Sequence, residues 1–213
     1  SLPMIRQTHV REGVLEFADG IKALLRQDPD IIFIGEIRDK TTAEMALKAA
    51  MTGHQVYTTL HTNDSAGAYT RLVDMGVEPF LVASTVEAVM AQRLVRTLCE
   101  SCKKPHRPTV DDLPRDFPST KLEQAGGQMY QPVGCRKCRN VGYAGRIGLY
   151  ELLLTTERIR QLAHDRSSTW NIQNAASEEG MVTLREDGWN KAIAGITSVD
   201  EVLRVTKGDV LRT

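Results

Sequence analysis

Two features that mark other classes of protein are missing from this chain of 213 residues, namely an excess of charge and a long apolar run. Lysine and arginine together number 27, and aspartate and glutamate also number 27, so the formal net charge is zero. Bulk electrostatics therefore predicts neither a nucleic-acid partner nor attraction to an acidic membrane surface. No apolar run approaches the roughly 18 residues that a membrane-spanning helix requires, and no signal peptide opens the chain. We therefore expect a soluble, cytoplasmic protein.

The composition is that of an ordinary globular protein. Hydrophobic residues make up 41% of the chain and charged residues 25%, which is the usual balance for a packed domain. The length is sufficient for one large domain or two small ones.

A short apolar run at residues 31–34 predicts a strand around which the other motifs are arranged. Pro29 ends the preceding helical pattern, because proline lacks the N–H that a helix needs. The run is too short for a helix and rich in branched side chains, which predicts a strand buried on both faces. Glu36 and Arg38 come directly after it, at the position where open α/β sheets bind ligands. An ordinary strand with a charged turn after it would give the same pattern.

A second strand is predicted over residues 55–60, where apolar and polar side chains alternate. It ends in the polar segment 61–65, which also caps the next helix. The alternation of helices and strands predicts an α/β layer with at least two strands of a parallel sheet. Parallel strands would bring Glu36 and Arg38 to the same edge as His61.

Further elements are predicted from local patterns. Residues 1–10 resemble an edge or irregular strand, and helical spacing begins at Val14. The capping box Thr41–Glu44 predicts the start of a helix between the two strands. Another helix is predicted to begin at Pro79 and to bury apolar side chains as far as Leu94.

The only four cysteines of the chain form two CxxC pairs, Cys99 with Cys102 and Cys135 with Cys138. Two such pairs supply the complete tetrahedral shell of a structural zinc ion, and they leave no open position for catalytic water. Disulfides are the alternative, but a chain without a signal peptide favours reduced thiols. We interpret His106, between the pairs, as a loop residue rather than a ligand.

The rest of the chain is predicted to be helical. Helical spacing covers residues 156–165 and 169–179, and capping boxes begin at Thr183 and Ser198. Trp189 falls in the apolar register of the third of these helices, so we expect it in the core.

Three motifs, in this order, resemble the secretion ATPases of type II secretion and type IV pilus assembly. The motifs are LRQDPD (25–30) with GEIRD (35–39) for the Walker B region, TGH (52–54) with TLHTND (59–64) for the histidine box, and the four cysteines with GYAGRIGLYE (142–151) for the tetracysteine metal subdomain. The similarity covers essentially the whole chain. Pilus-retraction relatives share the first two motifs but lack the four cysteines, so the chain resembles the secretion and assembly branch.

The resemblance implies an α/β fold that is part of a RecA-like ATPase core with a parallel sheet and helices. A tetracysteine zinc-binding subdomain and a C-terminal helical subdomain would come after this core. The corresponding boundaries are 1–97 for the core, 98–151 for the zinc-binding subdomain and 152–213 for the helical subdomain.

The same resemblance implies roles for individual residues. Glu36 would orient and activate the attacking water, close to Mg²⁺. His61 would contact or sense the γ-phosphate of ATP, and His54, at the other end of the same strand, would fix structure. Arg38 would either reach phosphate or pair with Glu36, and the sequence leaves both open. A strand-end salt bridge with Arg38 is the structural alternative for Glu36.

One motif of that family is missing, because no G-x-x-x-x-G-K-[ST] phosphate loop occurs in the chain. We therefore expect the chain to be the C-terminal part of a longer protein. The full-length protein would be an ATPase that uses ATP and Mg²⁺, whereas the 213-residue chain alone would be inactive.

The resemblance also implies partners. The full-length protein would be a homohexameric motor, peripheral at the cytoplasmic face of the inner membrane. It would drive extrusion of a pilus or pseudopilus through a membrane platform protein, and the motifs do not distinguish secretion from pilus assembly. A non-enzymatic zinc-binding adaptor is the alternative, favoured by the missing phosphate loop. A DNA-binding zinc module is disfavoured by the zero net charge and by the lack of a basic helix beside the cysteines.

Overall fold

The computed structural model describes residues 5–9 and 16–206, which divide into two compact units. The first unit contains the described residues up to 89 together with 153–179, and the second contains 90–152 and 180–206. Within these ranges, no helix has both the length and the apolar character needed to cross a membrane.

Helices dominate the first unit, where they accompany a two-stranded sheet. Its elements are α1 (Phe17–Leu24), a 3₁₀ turn (Leu25–Gln27), β1 (Ile31–Ile34), α2 (Lys40–Met51), β2 (Gln55–Thr58), α3 (Ala66–Asp74), α4 (Pro79–Thr85), α6 (Glu157–His164) and α7 (Thr169–Glu178).

The described part of the second unit combines two long and two short strands with three α-helices. Its elements are β3 (Ala88–Leu98) and β6 (Tyr143–Leu154), which each also reach into the first unit, β4 (Lys104–His106), a 3₁₀ turn (Val110–Asp112), α5 (Ser119–Gln124), β5 (Met129–Gln131), a 3₁₀ turn (Arg136–Cys138), α8 (Leu184–Ile193) and α9 (Val199–Val205). Strand β3 pairs with β6, and β4 pairs antiparallel with β5. His106, predicted to lie in a loop, is therefore part of a strand.

Strands β1 and β2 run parallel, in register from Ile31 opposite Gln55 to Ile34 opposite Thr58. This pairing confirms the predicted α/β class and parallel sheet. The prediction that β1 is buried on both faces is wrong for this chain, because Ile32 and Ile34 are buried while Ile31 is 60% and Phe33 70% exposed. The described residues cover only one face of the sheet.

Helix α2 begins two residues earlier than its predicted capping box implies. Its N-cap is Asp39, whose carboxylate accepts a hydrogen bond from the backbone N–H of Thr42 at 2.8 Å. The prediction of a cap at Thr41 is therefore wrong, because an aspartate two positions upstream satisfies the free N–H groups instead. Gly53 comes after the helix with a positive φ of 97°, as a C′ glycine does.

The long helix predicted from Pro79 ends at Thr85, and the prediction beyond that point is wrong. Val86 already has extended backbone angles, and β3 begins at Ala88. Met90 and Leu94, predicted to be buried, are both exposed. The apolar side chains of this segment match a helical spacing by coincidence, and pairing with β6 determines the structure.

In the described part of the N-terminal segment, the structure differs from the prediction. Residues 5–9 form no helix or strand. Helix α1 begins at Phe17. The predicted helical start at Val14, like residues 1–4 and 10, lies outside the described residues.

The boundaries of the two compact units differ from those of the predicted subdomains, because residues 153–179 pack within the first unit. The hydroxyls of Tyr69 and Thr155 lie 2.6 Å apart, and both residues are buried. Arg160 donates to the backbone oxygen of Ala83 at 2.7 Å. Helices α6 and α7 therefore belong to the first unit, whereas α8 and α9 belong to the second.

Trp189 is the centre of the second unit's core, as its register predicts. It is 1% exposed and packs with Phe117, whose ring centroid lies 5.3 Å from its own in an edge-on arrangement. The same cluster contains Leu122, Met129, Ala192 and Val202. The capping box of Thr183 and Glu186 starts its helix and is complete.

Substitution of each tryptophan in turn should show which of the two contributes to the stability of the core. We expect Trp189→Ala to lower the free energy of unfolding by about 3–5 kcal/mol, because it leaves a cavity in a packed cluster. Trp170→Ala is the matched control, since Trp170 is 67% exposed, and should change stability by no more than about 0.5 kcal/mol. Urea denaturation monitored by circular dichroism measures both, and equal losses would contradict the assignment of the core.

Candidate active site and metal centre

The parallel pairing of β1 and β2 brings the residues after the two strands to one edge of the sheet. Gly35 comes directly after β1, and Thr59 comes directly after β2. The backbone N–H of Ile37 donates to the backbone oxygen of Thr59 at 3.0 Å, and the Thr59 hydroxyl donates to the backbone oxygen of Gly35 at 2.7 Å. These two hydrogen bonds fix the segment that carries Glu36 against the segment that carries His61.

Glu36 contacts both of the side chains that the sequence places near it. Its Oε2 atom lies 2.9 Å from Nε2 of His61, and its Oε1 atom forms an ion pair with the guanidinium of Arg38. The Glu36 side chain is 22% exposed, while those of Arg38 and His61 are largely exposed. The three candidate residues thus form one cluster at the predicted edge. In this structure Arg38 pairs with Glu36, which was one of its two predicted partners.

The surroundings of Glu36 favour its ionised form. The hydrogen bond from Arg38, and after it the hydrogen bond from His61, lower the pKa of the Glu36 carboxyl. At neutral pH the group is therefore a carboxylate whose two oxygens both have a donor. Such a group can accept a proton from, or orient, a polar molecule at the strand ends.

Asp39 fixes the other end of the segment that carries Glu36. Its two carboxylate oxygens accept from the backbone N–H and from the hydroxyl of Thr42, both at 2.8 Å. The backbone hydrogen bond is the main reason why the pKa of Asp39 is lowered. Between the two ends, Ile37 is buried in the core, so Glu36 projects from a segment that is held on both sides.

Thr59 and Asp39 are residues whose positioning role the sequence analysis missed. Both lie inside the motifs that resemble the Walker B region and the histidine box, but local pattern does not reveal which group a hydroxyl or carboxylate will contact. A hydroxyl near the end of a predicted strand is the signal that could have identified Thr59, since it can bond to the neighbouring strand end.

His54 lies away from this cluster and has local partners. Its Nδ1 atom is 3.0 Å from the backbone oxygen of Ala49 and 3.2 Å from the hydroxyl of Thr52. These contacts hold the end of α2 against the start of β2, which is the structural role predicted for His54.

The four cysteines form a single cluster in the second unit. Their Sγ atoms all lie within 4.8 Å of one another. The separations are 4.0 Å for Cys99 and Cys135, and 3.8 Å both for Cys102 and Cys138 and for Cys135 and Cys138. A disulfide requires about 2.05 Å, so the four thiols are free.

These separations fit a tetrahedral metal ion. Zinc–sulfur bonds of about 2.3 Å in a tetrahedron place neighbouring sulfur atoms about 3.8 Å apart. The donor set of four thiols is also the one that structural zinc sites use. The antiparallel pairing of β4 with β5 brings the two CxxC segments together, since one pair precedes β4 and the other comes after β5.

The second CxxC segment is arranged to stabilise a thiolate. The backbone N–H groups of Cys135 and Gly142 donate to Sγ of Cys138 at 3.1 and 3.3 Å. Burial opposes ionisation, but these donors and the thiols of Cys102 and Cys135 outweigh it and lower the pKa of Cys138 to about 6. Metal ligation requires the thiolate form, which the two N–H donors favour at Cys138, whereas burial raises the pKa of the Cys102 thiol to about 11.

Two glycines permit the tight turns around that segment. Gly134 and Gly142 have φ angles of 112° and 81°, which other residues rarely adopt. A Cβ atom on Gly134 would lie 2.8 Å from the backbone oxygen of Asn140, and one on Gly142 would lie 2.6 Å from Cβ of Pro132. Larger residues at either position would displace the second CxxC segment.

Comparison with known proteins agrees with these motifs. The family described as type II/IV secretion system protein matches residues 1–204. The chain belongs to this family.

Individual relatives in the secretion system family include proteins of both branches that the motifs resemble. The chain is 47% identical over 204 residues to type II secretion system protein E of Dickeya dadantii (strain 3937), covering 95% of this chain and 40% of that protein. It is 47% identical over 206 residues to the type IV pilus assembly ATPase PilB of Thermus thermophilus, covering 96% of this chain and 23% of that protein. The chain thus spans less than half the length of these relatives.

Two solved structures, one of a pilus retraction motor and one of an ATPase, have a similar fold. The pilus retraction motor PilT with bound ADP superposes with a TM-score of 0.63 at 25% identity, covering 93% of this chain and 46% of that chain. The ATPase DotB of Legionella pneumophila superposes with a TM-score of 0.60 at 26% identity, covering 88% of this chain and 41% of that chain.

Proposed function

We propose that this chain is part of an ATP-hydrolysing motor of type II protein secretion or type IV pilus assembly, which drives extrusion of a pseudopilus or pilus. Membership in the secretion system family and the names of its relatives support this proposal. The structural observation that carries it is the 2.9 Å contact between Glu36 and His61 at the carboxyl ends of two parallel strands.

In this function Glu36 orients and activates the water that attacks the γ-phosphate. Its carboxylate is ionised, and its backbone segment is held by the hydrogen bonds of Thr59 and Asp39, so it can accept a proton without first rearranging. His61 is exposed beside it and contacts or senses the γ-phosphate. Arg38 keeps the carboxylate ionised and adds positive charge at the phosphate end of the site.

The parts that bind the rest of the nucleotide belong to a longer protein. The sequence contains no G-x-x-x-x-G-K-[ST] phosphate loop, and it spans 40% of its type II secretion relative. When bound, Mg²⁺ would neutralise charge on the β- and γ-phosphates. Glu36 offers the hard oxygen donor that this ion prefers, directly or through water.

The full-length protein, in this proposal, is a homohexamer peripheral at the cytoplasmic face of the inner membrane, where it acts on platform proteins of the secretion or pilus machinery. The support for this part of the proposal is that its relatives are named for type II secretion and type IV pilus assembly. The proposal includes no nucleic-acid partner, since the zero net charge of this chain provides no electrostatic footprint for one.

The cysteine cluster holds one structural zinc ion. Cys99, Cys102, Cys135 and Cys138 fill all four positions of a tetrahedral site, so the metal stabilises this part of the fold and takes no part in hydrolysis. The 3.8–4.0 Å sulfur separations support this assignment.

Glu36→Gln in the full-length protein tests the catalytic assignment. The amide preserves size but cannot accept the proton of water, so we expect kcat to fall by about 10² or more while ATP binding is retained. Glu44→Gln is the matched control, because the ion pairs of Glu44 within the described residues are with lysines on α2. Steady-state phosphate release measures kcat, and near-normal turnover by Glu36→Gln would remove Glu36 from this role.

Metal content tests the zinc site. Elemental analysis of protein purified without chelator should give one zinc ion per chain, and Cys135→Ser should lower the metal content and loosen the second unit, because metal-binding energy is also folding energy here. Ser101→Ala, which lies between Cys99 and Cys102, is the control and should retain zinc. Absence of zinc from the unmodified protein, or a disulfide within the cluster, would refute the site.

The 213-residue chain by itself should not hydrolyse ATP. Glu36 and His61 address only the γ-phosphate end of the nucleotide, and the α- and β-phosphates need the N–H cradle and lysine of a phosphate loop. We expect affinity for ATP to be millimolar or weaker, or about −4 kcal/mol at best. Calorimetric titration with ATP and Mg²⁺ measures this, and micromolar binding with steady turnover would show that the nucleotide site lies elsewhere.

A further inference from the structure

A short segment near the end of the described chain bonds to β3, which leads into the cysteine cluster, and to β6, which begins just after it. We call residues 195–201 the C-terminal clasp. They connect α8 to α9 and include the first residues of α9. Their partners lie close to the cysteines in sequence, although 55 to 105 positions separate the bonded residues along the chain.

The clasp is bonded to the end of β3, where the first CxxC pair begins. The backbone N–H of Leu98 donates to the backbone oxygen of Ile196 at 2.8 Å, and the Thr197 hydroxyl donates to the backbone oxygen of Arg96 at 2.8 Å. Cys99 is the next residue after Leu98. The position of its sulfur atom is therefore set by a strand end that the clasp holds.

Two further contacts join the clasp to residues beside Cys102 and beside Gly142. Lys103, the residue after Cys102, donates to the backbone oxygen of Gly195 at 3.0 Å. The hydroxyls of Tyr143 and Ser198 lie 2.8 Å apart. Tyr143 is next to Gly142, the residue whose N–H donates to the sulfur of Cys138. The clasp thus contacts the chain beside both CxxC pairs.

Glu201 is a buried residue of the clasp whose carboxylate accepts several hydrogen bonds. It is 1% exposed, and its carboxylate accepts from the backbone N–H of Arg96 at 2.9 Å and from the Arg96 guanidinium at 2.6 Å. Arg204 donates to the same carboxylate at 2.8 and 2.9 Å. The Arg96 guanidinium in turn lies 4.2 Å from the ring centroid of Tyr143. One buried carboxylate therefore ties α9, β3 and β6 together.

Local pattern predicts a different role for this glutamate, as the second member of a capping box with Ser198. The Ser198 side chain does accept from the N–H of Glu201. The Glu201 carboxylate, however, binds Arg96 and Arg204 instead of the N-cap backbone. A buried carboxylate bound to a distant strand costs more desolvation than a surface cap does, and its donors compensate for that cost.

We propose that Glu201 is a positioning residue of the metal centre, which holds the strand ends so that the four thiolates meet at tetrahedral distances. Zinc affinity should then depend on a residue that touches neither the metal nor its ligands, one step further out than the outer-shell partners that tune other metal sites. By thermodynamic reciprocity, zinc should in turn stabilise α9. This inference rests on the zinc site proposed above.

Zinc affinity of Glu201→Gln in the full-length protein is the direct test. Competition with a chromogenic chelator should show affinity about tenfold weaker than in the unmodified protein, at the lower end of the range for supporting residues. Asp200→Asn is the matched control, because Asp200 is the neighbouring acidic residue in the same helical turn and is less buried; it removes the same charge and should change affinity by less than about twofold. A role in general stability alone would lower the melting temperature of Glu201→Gln equally with and without zinc and leave the affinity unchanged.

A second variant covers the case in which Glu201→Gln does not fold. Tyr143→Phe removes only the hydroxyl that meets Ser198 and keeps the ring beside Arg96. It should fold and should weaken zinc binding in the same direction, but by less than the roughly tenfold effect of Glu201→Gln, because it removes a single supporting contact. Zinc affinity unchanged in Tyr143→Phe, and in Glu201→Gln if that variant folds, would overturn the proposal.

The reciprocal effect can be measured without any substitution. Hydrogen exchange of the unmodified protein, with zinc and after chelation, should show faster exchange in α9 once zinc is removed, whereas α6 of the other unit should be unaffected. Unchanged protection of α9 would overturn the coupling while leaving the zinc site intact. If the unmodified protein binds no zinc at all, the metal centre itself is refuted, and the proposed role of Glu201 is refuted with it.

Discussion

The parallel pairing of β1 and β2 is the constraint on which the candidate active site depends. Two strands that run in the same direction deliver the residues at their carboxyl ends to one edge, so residues 25 positions apart in sequence, Glu36 and His61, become neighbours. An antiparallel pair would send them to opposite ends of the sheet. The hydrogen bonds of Thr59 then convert this proximity into a fixed distance.

Much of this arrangement can be predicted from the sequence, because its determinants are local. The apolar run of β1, the CxxC spacing and the register of Trp189 each depend on side chains close together in the chain, and the structure agrees with them. The alternation predicts a second strand over residues 55–60, and the structure has β2 there but ends it at Thr58. The parallel sheet is predicted from the order of these elements. Motifs therefore indicate which residues gather at the strand ends before the fold is known.

The predictions that were wrong concern competition between partners that local pattern cannot compare. Asp39 and Thr41 are both acceptable caps for α2, and only the backbone path selects Asp39. The segment after Thr85 has an apolar spacing compatible with a helix, and its pairing with β6, a strand distant in the chain, determines that it is extended. Glu201 fits a capping box in sequence but binds Arg96, because the backbone and the guanidinium of that residue both offer it a donor. For the segment after Thr85 and for Glu201, the deciding group lies outside the window that a pattern covers, whereas Asp39 and Thr41 both lie inside it.

The face of the β1–β2 sheet that the described residues leave uncovered affects how the chain behaves in solution. Phe33 and Tyr57 stand opposite each other in the ladder and are both exposed, with Ile31 beside them. An apolar sheet face of this kind is a template on which another molecule can stack. A concentrated solution of the chain alone should therefore be colloidally unstable and prone to self-association through this face, unless a further layer of polypeptide covers it.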